Sequence, residues 1–255
     1  MEVTFQQLKT DYENAKILDF RDPINPNNKI ALICEHASNN LPEGYTWSEN
    51  DRAHFANENW AWDQNALENA VHLAAELKCV LVHSLYSRLL IDVDRDIPSE
   101  DLFLKSGNGK IIELNANMSR EEEMNRITKY HVTFYHALRE VSEKVDPKYV
   151  IGIGSFTPSE SGEARMYEIG IEYVDSEDFA NRIYEFAKKR GYNVEKNQPY
   201  PGIFRNVINT VLRANYPLKR EGVELELRTD VLQDDLKALQ LRIDLLEMLK
   251  TLCYV

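Results

Sequence analysis

Cysteine is scarce in this chain: Cys34, Cys79 and Cys253 are the only three among 255 residues, and none sits in a C-x-x-C. That excludes a disulfide scaffold and a cysteine-type zinc site. Cys34 and Cys79 lie in apolar runs, so they read as small core residues. Glycine is scarce too, ten in all, which leaves no glycine-rich phosphate cradle. GIGSFT carries Thr157 where a dinucleotide fingerprint needs a third glycine, and SGNGKI lacks the preceding strand and the Ser/Thr after Lys110. There is no H-E-x-x-H and no G-x-S-x-G, which disfavours the helical zinc-protease and serine-hydrolase elbows. No apolar run approaches the ~18 residues of a membrane span. The N-terminus lacks the basic start and apolar stretch of a signal peptide, so a cytoplasmic protein is expected. Positive charge is in deficit, 30 Lys+Arg against 42 Asp+Glu for a net −12. Such a surface repels nucleic acid and anionic membranes.

What remains is an ordinary globular composition, 43% hydrophobic and 28% charged. Nothing repeats at a fixed period and no linker divides the chain. Residues 1–255 read as one domain, with 1–28 as an N-terminal extension. KIALICE, CVLVHS and YVIGIGSF are short continuous apolar runs of the kind buried on both sheet faces. RLLIDV reads as another strand or strand end, and MYEIGIEY as a further one. GVELELRTD alternates strictly, Val223, Leu225 and Leu227 against Glu224, Glu226 and Arg228. Helices are expected over 51–77, from Ser119 where S-R-E-E forms a capping box, from Ser176 to Gly191, over 203–216, and from Gln233 to Leu252. Strands separated by helices predict α/β with a mostly parallel or mixed sheet.

Four segments could carry chemistry. C-E-H-A-S-N-N-L-P (34–42) follows the first firm strand, and the C-terminal ends of strands are where α/β sites are built. His36 there suits a metal ligand or a base, or is simply a solvated strand end. Asp63, in W-A-W-D-Q-N-A, is a candidate ligand or a helix cap. In Y-S-R-L-L-I-D-V-D-R-D, Arg88 and Arg95 flank Asp92 and Asp94. Their guanidinium forks suit carboxylate recognition, or else pair internally with those aspartates. Glu226, on the polar face of the alternating strand, can be a general base or a surface partner of Arg228.

Taken in order, EHASNNLP, WDQNA, YSRLLIDVDRD, the Tyr130…Tyr135-His136 pattern, SFTP with Gly162 and Arg165, N-Q-P-Y-P-G from Asn197, and LELRTD resemble the N-formylglutamate amidohydrolase family. The resemblance implies a three-layer α/β/α fold and zinc-assisted hydrolysis of a small anionic amide such as N-formylglutamate. By motif, His36 and Asp63 would hold the zinc, and Glu226 would be general base and then proton donor. Arg88 and Arg95 would polarise the carbonyl or hold a substrate carboxylate. Arg165, Asn197 and Tyr200 would line the pocket, with Arg228 holding Glu226 or binding substrate. One departure is serious: the histidine expected before SFTP, the third metal ligand, is Gly154 here. Asn39 also removes the H-x-x-E form, Asn65 stands where the family has glycine, and Asp94 where it has asparagine. Glu35, His83 or Asp94 could supply a replacement ligand, Asp94 also suiting oxygen-rich coordination of another ion, and a metal-free family member that binds a small anion without catalysis is the alternative expectation.

Overall fold

A computed structural model describes residues 5–27, 29–160, 162–201 and 220–254. Among them the continuous apolar runs do become fully buried strands. The strands are β1 (Asp11–Tyr12), β2 (Ala15–Asp19), β3 (Ile30–Cys34), β4 (Val80–Ser84), β5 (Tyr149–Phe156), β6 (Ile169–Glu172), β7 (Val194–Lys196) and β8 (Glu221–Arg228). They form one sheet in the order β1-β2-β4-β3-β5-β8-β6-β7. The pairs β4–β3, β3–β5, β5–β8 and β6–β7 are parallel, whereas β1–β2, β2–β4 and β8–β6 are antiparallel. The sheet is therefore mixed, as expected. The N-terminal residues are not appended to it: 11–19 supply its antiparallel edge.

Period-two alternation assigns the faces. Ile30, Leu32, Tyr149, Ile151, Ile153, Val223, Leu225 and Leu227 pack against α1 (Ala66–Leu77), α4 (Glu177–Lys189) and α5 (Asp235–Cys253). Ala31, Ile33, Val80, Val82 and Val150 face the other way, onto Phe134, Ala137, Leu138 and Val141 of α3 (Val132–Lys144). Helices on both faces make this a three-layer α/β/α domain. Beyond Val150 the second face changes character. Gly152, Gly154 and Gly170 lie there beside Glu172, Glu224 and Glu226, with Glu224 opposite both Gly152 and Glu172, and Glu226 opposite both Gly154 and Gly170. Glycine partners give the glutamate side chains room to lie over the sheet.

Several local expectations change in detail. Ser119 Oγ does cap α2 (Arg120–Arg126), accepting Glu122 N–H at 3.1 Å, a bond worth roughly 1 kcal/mol. The reciprocal half of the box is not made, because the Glu122 carboxylate accepts from Arg126 Nε at 2.7 Å. Gly191 follows α4 at φ +90°, a left-handed helix stop. The 51–77 stretch is not one helix: a short helix, Glu49–His54, is separated from α1 by turns. Asn65, at φ +64°, stands at the N-cap position of α1, a left-handed conformation that suits glycine or asparagine. RLLIDV is not a strand but buried coil. Its backbone is satisfied from outside. Asn115 Nδ2 donates to Leu89 O and Leu104 O at 2.8 Å, and Arg126 Nη1 donates to Leu90 O at 3.2 Å and Asn115 Oδ1 at 2.8 Å. The helix expected over 203–216 lies outside the described residues.

Candidate active site

The sheet order reverses at β3, whose neighbours are β4 on one side and β5 on the other. A crevice outside the C-terminal ends of strands at such a switch point is where α/β sites form. Four segments meet there. His36 follows β3. Asp63 precedes α1, and its N–H donates to His36 O at 2.8 Å. Gly154 and Ser155 end β5, and Glu226 lies near the end of β8. These are joined by the coil after β4, which is docked by Ser87 N–H on Asn40 O at 2.9 Å and Ser87 Oγ on Ala61 O at 2.8 Å.

His36, Asp63, Asp92 and Glu226 are all buried, each about 5% exposed. His36 Nε2 bonds Asp92 Oδ1 at 2.8 Å, and Nδ1 faces Asp63 Oδ2 at 3.7 Å. Burial and Arg88 both work against a charge on the ring, but Asp92 and Asp63 prevail and raise His36 to about 10. Asp63 is not a side-chain cap: its Oδ2 accepts the Ser155 N–H at 3.2 Å and points into the crevice. Arg88 grips Asp92 Oδ2 through Nε at 3.2 Å and Nη2 at 2.7 Å. Burial disfavours charge on Asp92 too, yet Arg88 and His36 hold its pKa well below the usual carboxylate range. Arg95 pairs with Asp94 Oδ2 at 2.7 Å. Internal pairing therefore fixes both arginines, and both side chains remain partly open to solvent.

The acids opposite are of another kind. Burial, reinforced by Asp63, Glu172 and Glu35, pushes Glu226 well above its usual pKa. Glu35 and Glu224 are raised chiefly by burial as well, and they face one another. Glu172 is raised to about 8, mainly by burial, although it accepts Tyr200 N–H at 3.1 Å. No donor among the described residues reaches Glu226 Oε2 or either oxygen of Glu35. Glu172 and Glu224 are members of the site that sequence motifs did not single out, whereas Glu35 and Asp92 lie within motifs that did not assign them a role there. The strict alternation did mark Glu224, but its burial came from the layer above the sheet.

Of the remaining expected residues, Tyr200 reaches the crevice by a turn crossing β6. A Cβ on Gly170 would meet Gln198 O at 1.9 Å, so the turn fits only over glycine. Asn197 builds that turn at φ +54°, its Oδ1 accepting Tyr173 N–H at 3.0 Å. Arg165 bonds Thr157 and Glu160 and lies 5.8 Å from the Tyr200 ring centroid, at the rim. Arg228 does not hold Glu226. It donates to the carbonyls of Arg165 and Tyr167 at 3.0 Å and pairs with Asp230, because the end of β8 turns it toward the rim loop.

A zinc ion would need three protein ligands here. His36 Nδ1 and Asp63 Oδ2 are neighbours, but Gly154 brings no side chain. A Cβ there would meet Glu226 Oε1 at 2.7 Å and Asp63 Oδ2 at 3.0 Å. Among the described residues no group of three or more His, Cys, Asp or Glu side chains is arranged to hold a metal ion. The residues present fall short of the three protein ligands that hold zinc. Among the described residues no helix is long and apolar enough to cross a membrane.

The same architecture occurs in solved structures. The gene product Atu2144 from Agrobacterium tumefaciens superposes with a TM-score of 0.79 at 24% identity, over 93% of this chain and 94% of that one. N-formylglutamate amidohydrolase from Ralstonia eutropha JMP134 gives 0.65 at 15% identity, over 91% and 97%. At these identities the likeness is one of fold. No curated protein matches the chain. The family model of N-formylglutamate amidohydrolase, however, matches residues 29–232, a span that holds every residue of the crevice, and the chain belongs to the N-formylglutamate amidohydrolase family.

Proposed function

We propose that this crevice hydrolyses the amide bond of a small N-acylated acidic amino acid, N-formylglutamate being the simplest example. The observation that supports the reading most is Glu226. It is a buried carboxyl with one oxygen free of protein donors, set between Asp63 and the arginine-bearing coil. A carboxyl raised toward the working pH can take a proton from a water and return it, the two transfers amide hydrolysis requires. In the reaction Glu226, ionised, takes the proton of the water that attacks the acyl carbon. It then delivers that proton to the leaving nitrogen as the tetrahedral adduct collapses. Arg88, whose Nη1 has no acceptor among the described residues, donates to the developing oxyanion. Arg95, the more open of the two guanidiniums, holds a carboxylate of the substrate. No step passes through a metal, because the described residues do not supply a third ligand.

A specific observation also favours a second reading. With Gly154 in the third ligand's place, the crevice binds the same anionic amide without cleaving it. One experiment separates the two. The purified protein is incubated with N-formyl- and N-acetylglutamate, with and without added zinc, while released glutamate and bound ligand are measured. Hydrolysis above the Glu226→Gln background supports the first reading. Saturable binding without product supports the second, and neither overturns both.

A further inference from the structure

We propose that Asp92 is the positioning residue of the crevice, a single carboxylate that sets both the ring of His36 and the fork of Arg88. Its catalytic consequence rests on the hydrolase reading above; its structural role does not. Asp92 is 5% exposed, so its bonds form where water does not compete. Oδ1 accepts from His36 Nε2 at 2.8 Å and from the Asp94 N–H at 3.0 Å. Oδ2 accepts from Arg88 Nε at 3.2 Å and Nη2 at 2.7 Å. A carboxylate offers about four lone-pair sites, and here four donors occupy them.

Each bond fixes something different. The bond to Nε2 assigns that nitrogen a proton and turns Nδ1 toward Asp63. The double grip on Arg88 uses Nε and Nη2 and leaves Nη1 as the nitrogen that Asp92 does not engage. The Asp94 N–H bond ties the carboxylate to its own backbone turn, so the coil that carries both arginines sets the histidine that follows β3. No other described side chain bonds both His36 and Arg88. Asparagine at 92 has the same shape but replaces one acceptor oxygen with an NH2 group. Whichever way the amide turns, that group confronts a donor, either His36 Nε2–H or the Arg88 fork.

The test uses the full chain with ¹⁵N-labelled histidine, wild type and Asp92→Asn. In the wild type we expect a downfield, slowly exchanging His36 Nε2–H signal, lost or shifted upfield in the variant while the other histidine signals stay in place. Calorimetry with N-acetylglutamate should show weaker binding in the variant. With N-formylglutamate, kcat/KM should fall about 10²-fold, with a rise in KM that a smaller folded fraction would not produce. An unchanged Nε2–H signal with kcat/KM within twofold overturns the proposal. If Asp92→Asn does not fold, the wild-type spectrum still decides: an Nε2 that exchanges freely with solvent overturns it. If the wild type hydrolyses no N-acyl amino acid, the hydrolase reading fails, while the Nε2–H signal and its loss in the variant still decide the role of Asp92.

Discussion

Replacing a buried carboxylate usually destabilises a protein, but Glu172→Gln is expected to stabilise this one at alkaline pH. Glu172 is about 5% exposed, and burial, reinforced by Asp94 and Glu35, raises its pKa from 4.5 to about 8. The folded value lies above the unfolded one, so folding favours the neutral form. That contribution is complete below about pH 4.5 and is lost as pH rises through about 8. At about 1.36 kcal/mol for each pH unit between the two values, the loss tends toward roughly 4–5 kcal/mol. That is a large share of the ~5–15 kcal/mol that holds a domain folded. Glutamine keeps the acceptor for Tyr200 N–H and never ionises. The advantage of the variant is therefore expected to be small at pH 5 and to approach the same roughly 4–5 kcal/mol at pH 8–9, the relief of the neighbouring acids adding to it. Urea unfolding in EDTA at pH 5, 6, 7, 8 and 9 measures it. Parallel pH profiles for wild type and variant would refute the argument, since they would mean that Glu172 titrates alike in the folded and unfolded chains.

Further expectations concern single positions. Glu226→Gln should lower kcat on N-formylglutamate by ~10²–10⁴-fold with the fold retained. Glu224 is buried against Glu35 and is no neutral control, so Glu221→Gln, at the start of the same strand, serves instead. Gly154→His must displace Glu226 Oε1, which lies 2.7 Å from where its Cβ would be. If the new imidazole joins His36 and Asp63, calorimetry will show tighter zinc binding than in the wild type; equal affinity would mean that the position does not serve the crevice. Gly170→Ala puts a methyl 1.9 Å from Gln198 O, a backbone atom. A loss of about 3 kcal/mol is expected, and a Tm within one degree of wild type would rule out the turn's dependence on that glycine.

Much of this was readable in the sequence, and the failures have physical causes. The runs ending at Cys34, Ser84 and Phe156 announced buried strands because such strands need no alternation. Strand Glu221–Arg228 announced its faces because it alternates. Alternation says which residues share a face but not what covers that face. Glu224, which reads as ordinary surface, is therefore an interior acid. RLLIDV has the composition of a strand, yet its residues are divided among separate clusters, Leu90 and Ile91 around Tyr130 and Leu89 beside Phe55. Nothing local distinguishes that from a sheet. The N-terminal edge strands were missed because two and five residues of mixed polarity carry almost no periodic signal. His36, Asp63, Arg88 and Glu226 were found by motif and do converge. Asp92 was visible between the arginines, but only the fold puts it against a histidine 56 positions earlier.

The coil that bears Arg88 and Asp92 is held by Asn115 and by Arg126, a guanidinium 4% exposed at the end of α2. Binding crevices are commonly rimmed by segments that open easily, and their amides exchange with solvent long before the core does. Here the segment without regular structure is clamped by side chains from two helices outside the crevice, Asn115 of the short helix Glu113–Ala116 and Arg126 of α2. Its amides at Asp92 and Arg95, bonded to Leu102 O and Asp92 O, should exchange as slowly as those of the central strands, and proteases should pass it by. Arg126→Ala would then convert a rigid wall into a breathing one without touching a single group that meets the substrate.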